Sequence, residues 1–201
     1  MRRLLIVLVL PLFLANCAEH VWAPDEAVQR ARYHSSDPPS ITLFTVVRKR
    51  GNEGAHSGLM INGSQRIIYD PAGTWTNPAA PEREDVHFGM TPTMVRYYID
   101  YHARSTYDVY EQTVPVSPEV AEMAIRKAET NGASMKALCG NSVSEVLKGL
   151  PGFDSVRSSF FPGRLMREFA TLPGVETAHY TDNDSDNNKV LLARQNTAVG
   201  Q

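Results

Sequence analysis

The chain has 201 residues and a formal net charge of -2, and 42% of its residues are hydrophobic while 21% are charged. This balance is typical of one globular domain that buries a core of its own. The near-neutral charge argues against the basic surface that nucleic-acid-binding proteins carry, so we expect no nucleic-acid partner. The sequence contains no internal repeat that would indicate a second domain.

The N-terminus has the features of an export signal. Two arginines at positions 2–3 precede an apolar run over residues 4–14, which is too short to span a bilayer comfortably. The run ends in Leu-Ala-Asn-Cys, which resembles the lipobox of bacterial lipoproteins, where the cysteine carries the lipid. Asn16 departs from that pattern, because a smaller residue usually precedes the cysteine. We expect lipidation at Cys17, with ordinary secretory cleavage as the alternative.

Residues 1–17 are therefore predicted to be a signal peptide, residues 18–40 a tether, and residues 41–201 the folded domain. A short helix over residues 26–33 is expected within the tether, followed by a Pro-Pro pair that ends it. The domain opens with ITLFTVV over residues 41–47, which is rich in β-branched and aromatic side chains. That composition predicts a buried strand.

A hairpin follows in the sequence AHSGLMINGSQRIIYDPAG. Residues 56–61 and 65–70 are predicted to be its strands, because the Asn-Gly pair between them is the strongest short hairpin signal. His56 opens one strand and Asp70 closes the other, and antiparallel pairing brings those two ends together. A carboxylate beside a histidine fixes its tautomer and raises its basicity, as a general base requires. The alternatives are a structural role for His56 and a turn-capping role for Asp70.

Turn and cap residues mark the elements downstream of the hairpin. Thr91 starts a predicted helix that runs through Tyr101, and Ser117 starts another that ends before Gly132. Trp75 is expected either to line a cleft or to cap the core. The other predicted segments are an extended piece over residues 85–90, a third strand over 106–116, a helix that begins at 161–162, and edge strands over 175–180 and 190–192.

Cys139 is the only cysteine that remains if Cys17 carries a lipid, so it has no disulfide partner. Two interpretations of its surroundings stay open. In the first, Ser142 caps a helix and Glu145 completes a capping box, which places the thiol at a helix N-terminus that lowers its pKa. In the second, a helix starts at Ser134 and Cys139 is a small core residue in its apolar stripe.

The remaining histidines and one acidic run have no assigned role. His87, His102 and His179 are predicted to be surface residues. Asp182, Asp184 and Asp186 alternate as at the start of an EF-hand loop, but the glycine and the final glutamate of such a loop are absent. We expect a solvated acidic loop there. With no zinc-type spacing and no phosphate-binding loop in the sequence, no metal or cofactor is expected.

The order of these elements resembles the circularly permuted branch of the papain-like, NlpC-type cysteine amidases and peptidases, which includes relatives of lecithin:retinol acyltransferase. In that branch a strand histidine precedes the cysteine helix. The matching segments are A-H-S-G-L-M-I with His56, I-I-Y-D with Asp70, and L-C-G-N-S-V-S-E-V-L with Cys139. The resemblance covers roughly residues 41–150. Tyr69 is the alternative third residue if the register shifts by one.

The resemblance implies an α+β domain in which a small antiparallel sheet packs with helices in a permuted papain-like arrangement. It also implies thiol acyl transfer, with Cys139 as nucleophile, His56 as base and Asp70 as its orienting residue. For a lipid-anchored protein that faces the periplasm, the first expected substrate is an amide of a peptidoglycan peptide, and a lipid acyl group is the second. The alternative is a non-catalytic envelope lipoprotein that uses the same fold for binding or as a scaffold.

Overall fold

An antiparallel sheet of seven strands is the centre of this computed structural model, which describes residues 20–198. The strands are β1 (Ser40–Arg48), β2 (Glu53–Asn62), β3 (Arg66–Tyr69), β4 (Glu82–Arg83), β5 (Val86–Phe88), β6 (Tyr107–Pro115) and β7 (Glu176–Tyr180). Their order in the sheet is β4-β5-β3-β2-β1-β6-β7. The predicted export signal and the lipidation site at Cys17 lie outside the described residues.

Helices cover both faces of the sheet, so the fold is of the α+β class, as the sequence predicts. They are α1 (Asp25–Ala31), α2 (Pro92–His102), α3 (Pro118–Asn131), α4 (Cys139–Leu147), α5 (Pro162–Phe169) and α6 (Asn188–Ala198). On one face, α3, α4 and α5 pack over side chains that include Leu43 and Leu59. On the other face, α2 and α6 pack over Phe44 and Met60. Among residues 20–198, no helix has the length and apolar character needed to cross a membrane.

Two predicted helix starts are confirmed by their caps. The side chain of Thr91 accepts a hydrogen bond from the backbone N–H of Met94 at 3.3 Å at the start of α2. Ser117 accepts from the backbone N–H of Val120 at 3.3 Å at the start of α3. α3 ends before Gly132, whose φ of +75° suits a glycine.

The predicted hairpin is confirmed as β2 and β3, with Leu59 opposite Tyr69. The predicted edge strand over residues 175–180 is also confirmed, as β7 beside β6. The predicted strand over residues 190–192 is wrong, because this segment belongs to α6. Leu191 is buried there, and Gln195 donates to the backbone carbonyl of Tyr97 at 3.1 Å. These tertiary contacts override the local β propensity.

Residues 20–39 contact the sheet although they precede β1. The backbone N–H of Ala23 donates to the carbonyl of Glu82 at 2.9 Å. The buried side chain of Arg66 on β3 donates to the carboxylate of Asp37 at 2.6 Å, and its guanidinium lies 5.4 Å from the ring centroid of Tyr33. The segment is therefore joined to the edge of the sheet that β3, β4 and β5 form.

Candidate functional site

His56 lies on β2 directly after an irregularity in the strand pairing. Val46 of β1 pairs with His56, whereas Val47 pairs with Gly54, so Ala55 is an extra residue on β2. A bulge of this kind bends the strand and changes the direction of the neighbouring side chains. The side chain of His56 is 17% exposed, so part of the ring remains accessible.

Asp70 follows the last residue of β3, and its carboxylate is fully enclosed. Nε2 of His56 lies 2.7 Å from Oδ1 of Asp70, so the ring donates a hydrogen bond to the carboxylate. The hydroxyl of Tyr98 on α2 donates to the same oxygen at 2.7 Å. A side chain at Gly58 would collide with this hydroxyl, so the strand carries a glycine where α2 approaches it. The hairpin thus brings His56 and Asp70 together, as its antiparallel pairing predicts.

Cys139 is the first residue of α4, and its thiol lies close enough to His56 for hydrogen bonding and charge to shift the pKa of both groups. Because Nε2 of the ring is bonded to Asp70, Nδ1 is the nitrogen left for the thiol. Backbone N–H groups of Ser57 and Gly140 also stabilise the sulfur. Three residues that are distant in the sequence therefore form one Cys–His–Asp cluster at a helix N-terminus.

The start of α4 differs from both interpretations of the sequence. The predicted capping box is wrong, because the hydroxyl of Ser142 bonds to that of Ser134 at 2.7 Å, and Glu145 accepts from a serine outside the helix. The helix does not start at Ser134 either, because Ala137 has a left-handed φ of +67° that turns the chain just before it. Cys139 combines the helix-terminal position of the first interpretation with the burial of the second, at 6% exposure.

The surroundings of the cluster favour a thiolate and an imidazolium. Burial opposes ionisation of Cys139, but the hydrogen bond and the charge of His56 outweigh it and lower the pKa of the thiol. Burial also opposes the charged ring of His56, yet the charge and hydrogen bond of Asp70, with help from the thiol, raise its pKa to about 10. Burial acts to raise the pKa of Asp70, but the charge of His56 holds it well below its usual range.

Sequence reasoning missed two residues of α2 that contact the cluster. His102, predicted to be a surface residue, lies with its ring parallel to that of His56, at 9° and with 5.5 Å between the centroids. Tyr98 is the donor to Asp70 described above. The two lie four residues apart, a spacing that places them on one face of a helix. This spacing indicates that the two side chains share one face of α2, but nothing in the sequence indicated that this face meets His56.

The two other histidines of the domain differ in their burial. His87 is buried, contrary to the prediction, and its ring meets the edge of Trp75 at 5.1 Å between centroids. Trp75 is itself buried, so it belongs to the core and does not line a cleft. His179 lies on β7, partly exposed, with Nε2 at 3.2 Å from Oδ2 of Asp108. Neither histidine is part of the Cys–His–Asp cluster.

One group of side chains in residues 20–198 has the composition of a metal site. His56, Asp70 and His102 each offer a ligand atom, and these atoms lie within 4.8 Å of one another. However, a metal ion has to lie in the plane of every imidazole that binds it, where the nitrogen lone pair points. The stacked, nearly parallel rings direct their lone pairs along separate planes. The arrangement therefore suits hydrogen bonding better than metal coordination.

A cavity of about 280 Å³ opens beside the two stacked rings. His56, His102, Gly73 and Tyr107 contribute to its wall, together with Asp186 of the acidic run. A larger cavity of about 590 Å³ lies along the other end of α2, around Arg66, and none of the three cluster residues lines it. Of the three cluster residues, only His56 lines the smaller cavity, so a small molecule there would contact the base but not the thiol.

Asp85 links the loops that carry Asp70 and Cys139. Its Oδ2 accepts from the backbone N–H of Ala72 at 2.9 Å and from that of Ser134 at 2.7 Å. Its backbone carbonyl accepts from the N–H of Asp70 at 2.8 Å. One residue therefore holds the end of the hairpin and the approach to α4 at a fixed separation.

Asp85→Ala leaves two backbone N–H groups beside the site without their acceptor. We expect the free energy of unfolding to fall by about 1–3 kcal/mol. Urea unfolding followed by tryptophan fluorescence measures the change, with Asp154→Ala at an exposed position as the control. Equal stability of the two variants would show that the link contributes nothing.

In comparisons with known proteins, no family model matches the chain, and no curated protein or solved structure matches it either. By its fold the protein is an α+β domain, and by its site it is a protein with a buried Cys–His–Asp cluster. In proteins, a thiol beside a base and a group that orients the base is the arrangement used for nucleophilic acyl transfer.

Proposed function

We propose that the protein is an exported cysteine hydrolase that cleaves an amide bond of cell-wall peptides by thiol acyl transfer. The observation that carries the proposal is the contact between Cys139, at the start of α4, and His56, whose Nε2 lies 2.7 Å from Asp70. Nucleophile, base and orienting group are the three parts that this chemistry needs. The helix N-terminus adds a field that favours the thiolate.

In the proposed mechanism, the thiolate of Cys139 attacks the carbonyl carbon of the scissile amide. The imidazolium of His56 gives its Nδ1 proton to the leaving nitrogen as the C–N bond breaks, which leaves a thioester on Cys139. Neutral His56 then takes a proton from water, whose oxygen attacks the thioester and releases the acid and the thiolate. Asp70 holds the ring in orientation throughout, and the backbone N–H of Cys139, with a neighbouring donor at the start of α4, binds the oxyanion.

The chain order supports membership of the circularly permuted branch of the papain-like, NlpC-type enzymes. β2 with His56 and β3 with Asp70 precede α4 with Cys139, the reverse of the order in the unpermuted enzymes. We further propose that Cys17 carries a lipid anchor and that the domain faces the periplasm. Stem peptides of peptidoglycan are the amides closest to such a protein, and this is the reason to name them first.

A lipid acyl group is the second candidate substrate, because exposed apolar side chains belong to segments that lead into or pack against the start of α4. Met135, in the turn before Cys139, is 52% exposed, and Phe160 and Phe161 are 58% and 71% exposed. The backbone of Phe160 packs against Gly140 at the start of α4. Such a surface fits an acyl chain better than a polar peptide. A non-catalytic binding or scaffold protein is the alternative to both.

Labelling with iodoacetamide tests the enzyme proposal. At pH 7 an ordinary thiol is only about 3% ionised, so Cys139 in the folded protein is expected to react faster than in the urea-unfolded chain. Mass spectrometry of the Cys139 peptide follows the reaction. If Cys139 reacts only after unfolding, the proposal fails and the scaffold alternative stands.

Hydrolysis assays then separate the two substrates. The wild type and Cys139→Ala are incubated with a purified stem peptide and, separately, with phospholipid vesicles. Release of a new amine from the peptide by the wild type alone supports the amide proposal. Release of fatty acid alone would replace it with the lipid candidate.

A further inference from the structure

His102 makes contacts that the proposed mechanism does not use. It is the last residue of α2, and its Nδ1 donates to the backbone carbonyl of Tyr98 at 2.8 Å. The rings of Tyr98 and Tyr101 also pack against it, at 4.4 and 5.0 Å between centroids, so its plane is held. The same ring lies parallel to that of His56, at 9° and 5.5 Å between centroids. A second imidazole is therefore held flat against the group that acts as the base.

We propose that His102 is a positioning residue, whose ring keeps the ring of His56 in the plane in which it faces both Asp70 and Cys139. The inference rests on the proposed function, since it assigns a task to a residue through its effect on the base. It goes beyond that function, because His102 belongs neither to the Cys–His–Asp cluster nor to the segments whose order in the chain supports the family proposal.

The ring of His56 needs such support when the sulfur attacks a substrate, because its contact with the thiol is then lost and the hydrogen bond to Asp70 alone does not fix its plane. The bond from Nε2 to Asp70 leaves rotation about the line that joins them, and this rotation would swing Nδ1 away from the thiol. The last torsion of a histidine side chain has a broad energy profile, so the side chain itself resists little. A flat neighbour limits this rotation.

A single helix supplies both supports of the base. Tyr98 donates to Asp70 at 2.7 Å, and His102, one helical turn later, covers His56. Burial lowers the pKa of His102 to about 4, so its ring is uncharged at neutral pH. An uncharged ring stacks on an imidazolium favourably, whereas a second positive ring would repel it and compete for Asp70.

Two variants separate the stacked ring from the hydrogen bond of His102. His102→Phe keeps a flat ring and removes the donor to Tyr98, whereas His102→Asn keeps a donor and removes the ring. We expect His102→Phe to be labelled by iodoacetamide at pH 7 within about threefold of the wild-type rate, and His102→Asn about tenfold more slowly. The pH profile of labelling should move to higher pH only in His102→Asn.

The proton on Nε2 of His56 gives a readout that does not depend on reactivity. Bonded to a buried carboxylate, it is expected as a downfield signal in the NMR spectrum of the wild type and of His102→Phe, and to broaden or vanish in His102→Asn. If His102→Asn keeps the wild-type labelling rate and NMR signal, or if both variants lose them equally, the inference is overturned while the proposed function stays intact. A wild-type thiol that is inert when folded would instead refute the proposed function, and the inference with it.

Discussion

His56→Ala is expected to lower the rate of amide hydrolysis by about 100-fold to 10,000-fold, because the variant has no group to move the proton. Labelling of Cys139 by iodoacetamide should slow by up to about 30-fold at pH 7, since the thiolate fraction of an unperturbed thiol there is about 3%. The midpoint of the labelling rate against pH should rise toward that of an ordinary thiol, because His56 is the main cause of the lowered pKa of Cys139. Labelling rates from pH 5 to pH 10 measure both effects.

A second histidine–carboxylate pair provides the matched control. Nε2 of His179 lies 3.2 Å from Asp108, and its ring stacks on Tyr110 at 4.5 Å between centroids, on a strand without contact to the cluster. His179→Ala therefore removes a histidine–carboxylate pair that lies away from the thiol, and it should leave the labelling rate and its pH profile unchanged. If the two alanine variants label alike, His56 does not activate the thiol.

The parts of the fold with strong local signals were predictable from the sequence. The hairpin was predictable, although Asn62 pairs with Arg66 inside the sheet and neither Asn62 nor Gly63 has the positive φ of an Asn-Gly turn. The antiparallel pairing of β2 with β3 then places His56 near Asp70. Thr91 and Ser117 define the starts of α2 and α3, because side-chain caps are local chemistry. These predictions needed no knowledge of the tertiary structure.

The remaining features depend on contacts between distant segments. The N-cap of α4 is Leu138, whose side chain makes no capping bond, and the turn before it uses a left-handed Ala137, for which alanine gives no signal. The roles of Tyr98 and His102 depend on which sheet face α2 covers, and periodicity within one helix does not determine that. The position of Cys139 also depends on contacts between distant segments, so the sequence alone did not show whether its thiol lies in the core or at a helix terminus.

Asp70→Ala is expected to lower the free energy of unfolding by about 3–5 kcal/mol, because it leaves the charged ring of His56 buried without its partner. The hydroxyl of Tyr98 loses its acceptor as well. The comparison is best made in a Cys139→Ala background, because thiol and imidazole exchange a proton near neutral pH and would obscure the titration of His56. Urea unfolding from pH 3 to pH 9 provides the measurement.

The pH window of this effect follows from the two pKa shifts. The pKa of Asp70 is lowered in the folded state, so its contribution is complete above its unfolded value near 3.8 and is lost as the pH falls below that value. The pKa of His56 is raised in the folded state, so its contribution is complete below 6.5 and is lost as the pH rises from there. The cost of Asp70→Ala should therefore be largest between about pH 4 and pH 6.5.

Asp70→Asn separates the charge from the hydrogen bonds. Its side-chain oxygen can still accept from His56 and Tyr98, so this variant should retain more stability than Asp70→Ala. Because it lacks the charge, however, its loss of stability should be largest in the same pH window. A cost that stays constant from pH 3 to pH 9 would show that Asp70 acts only as an acceptor. No cost in either variant would mean that the pair does not stabilise the fold.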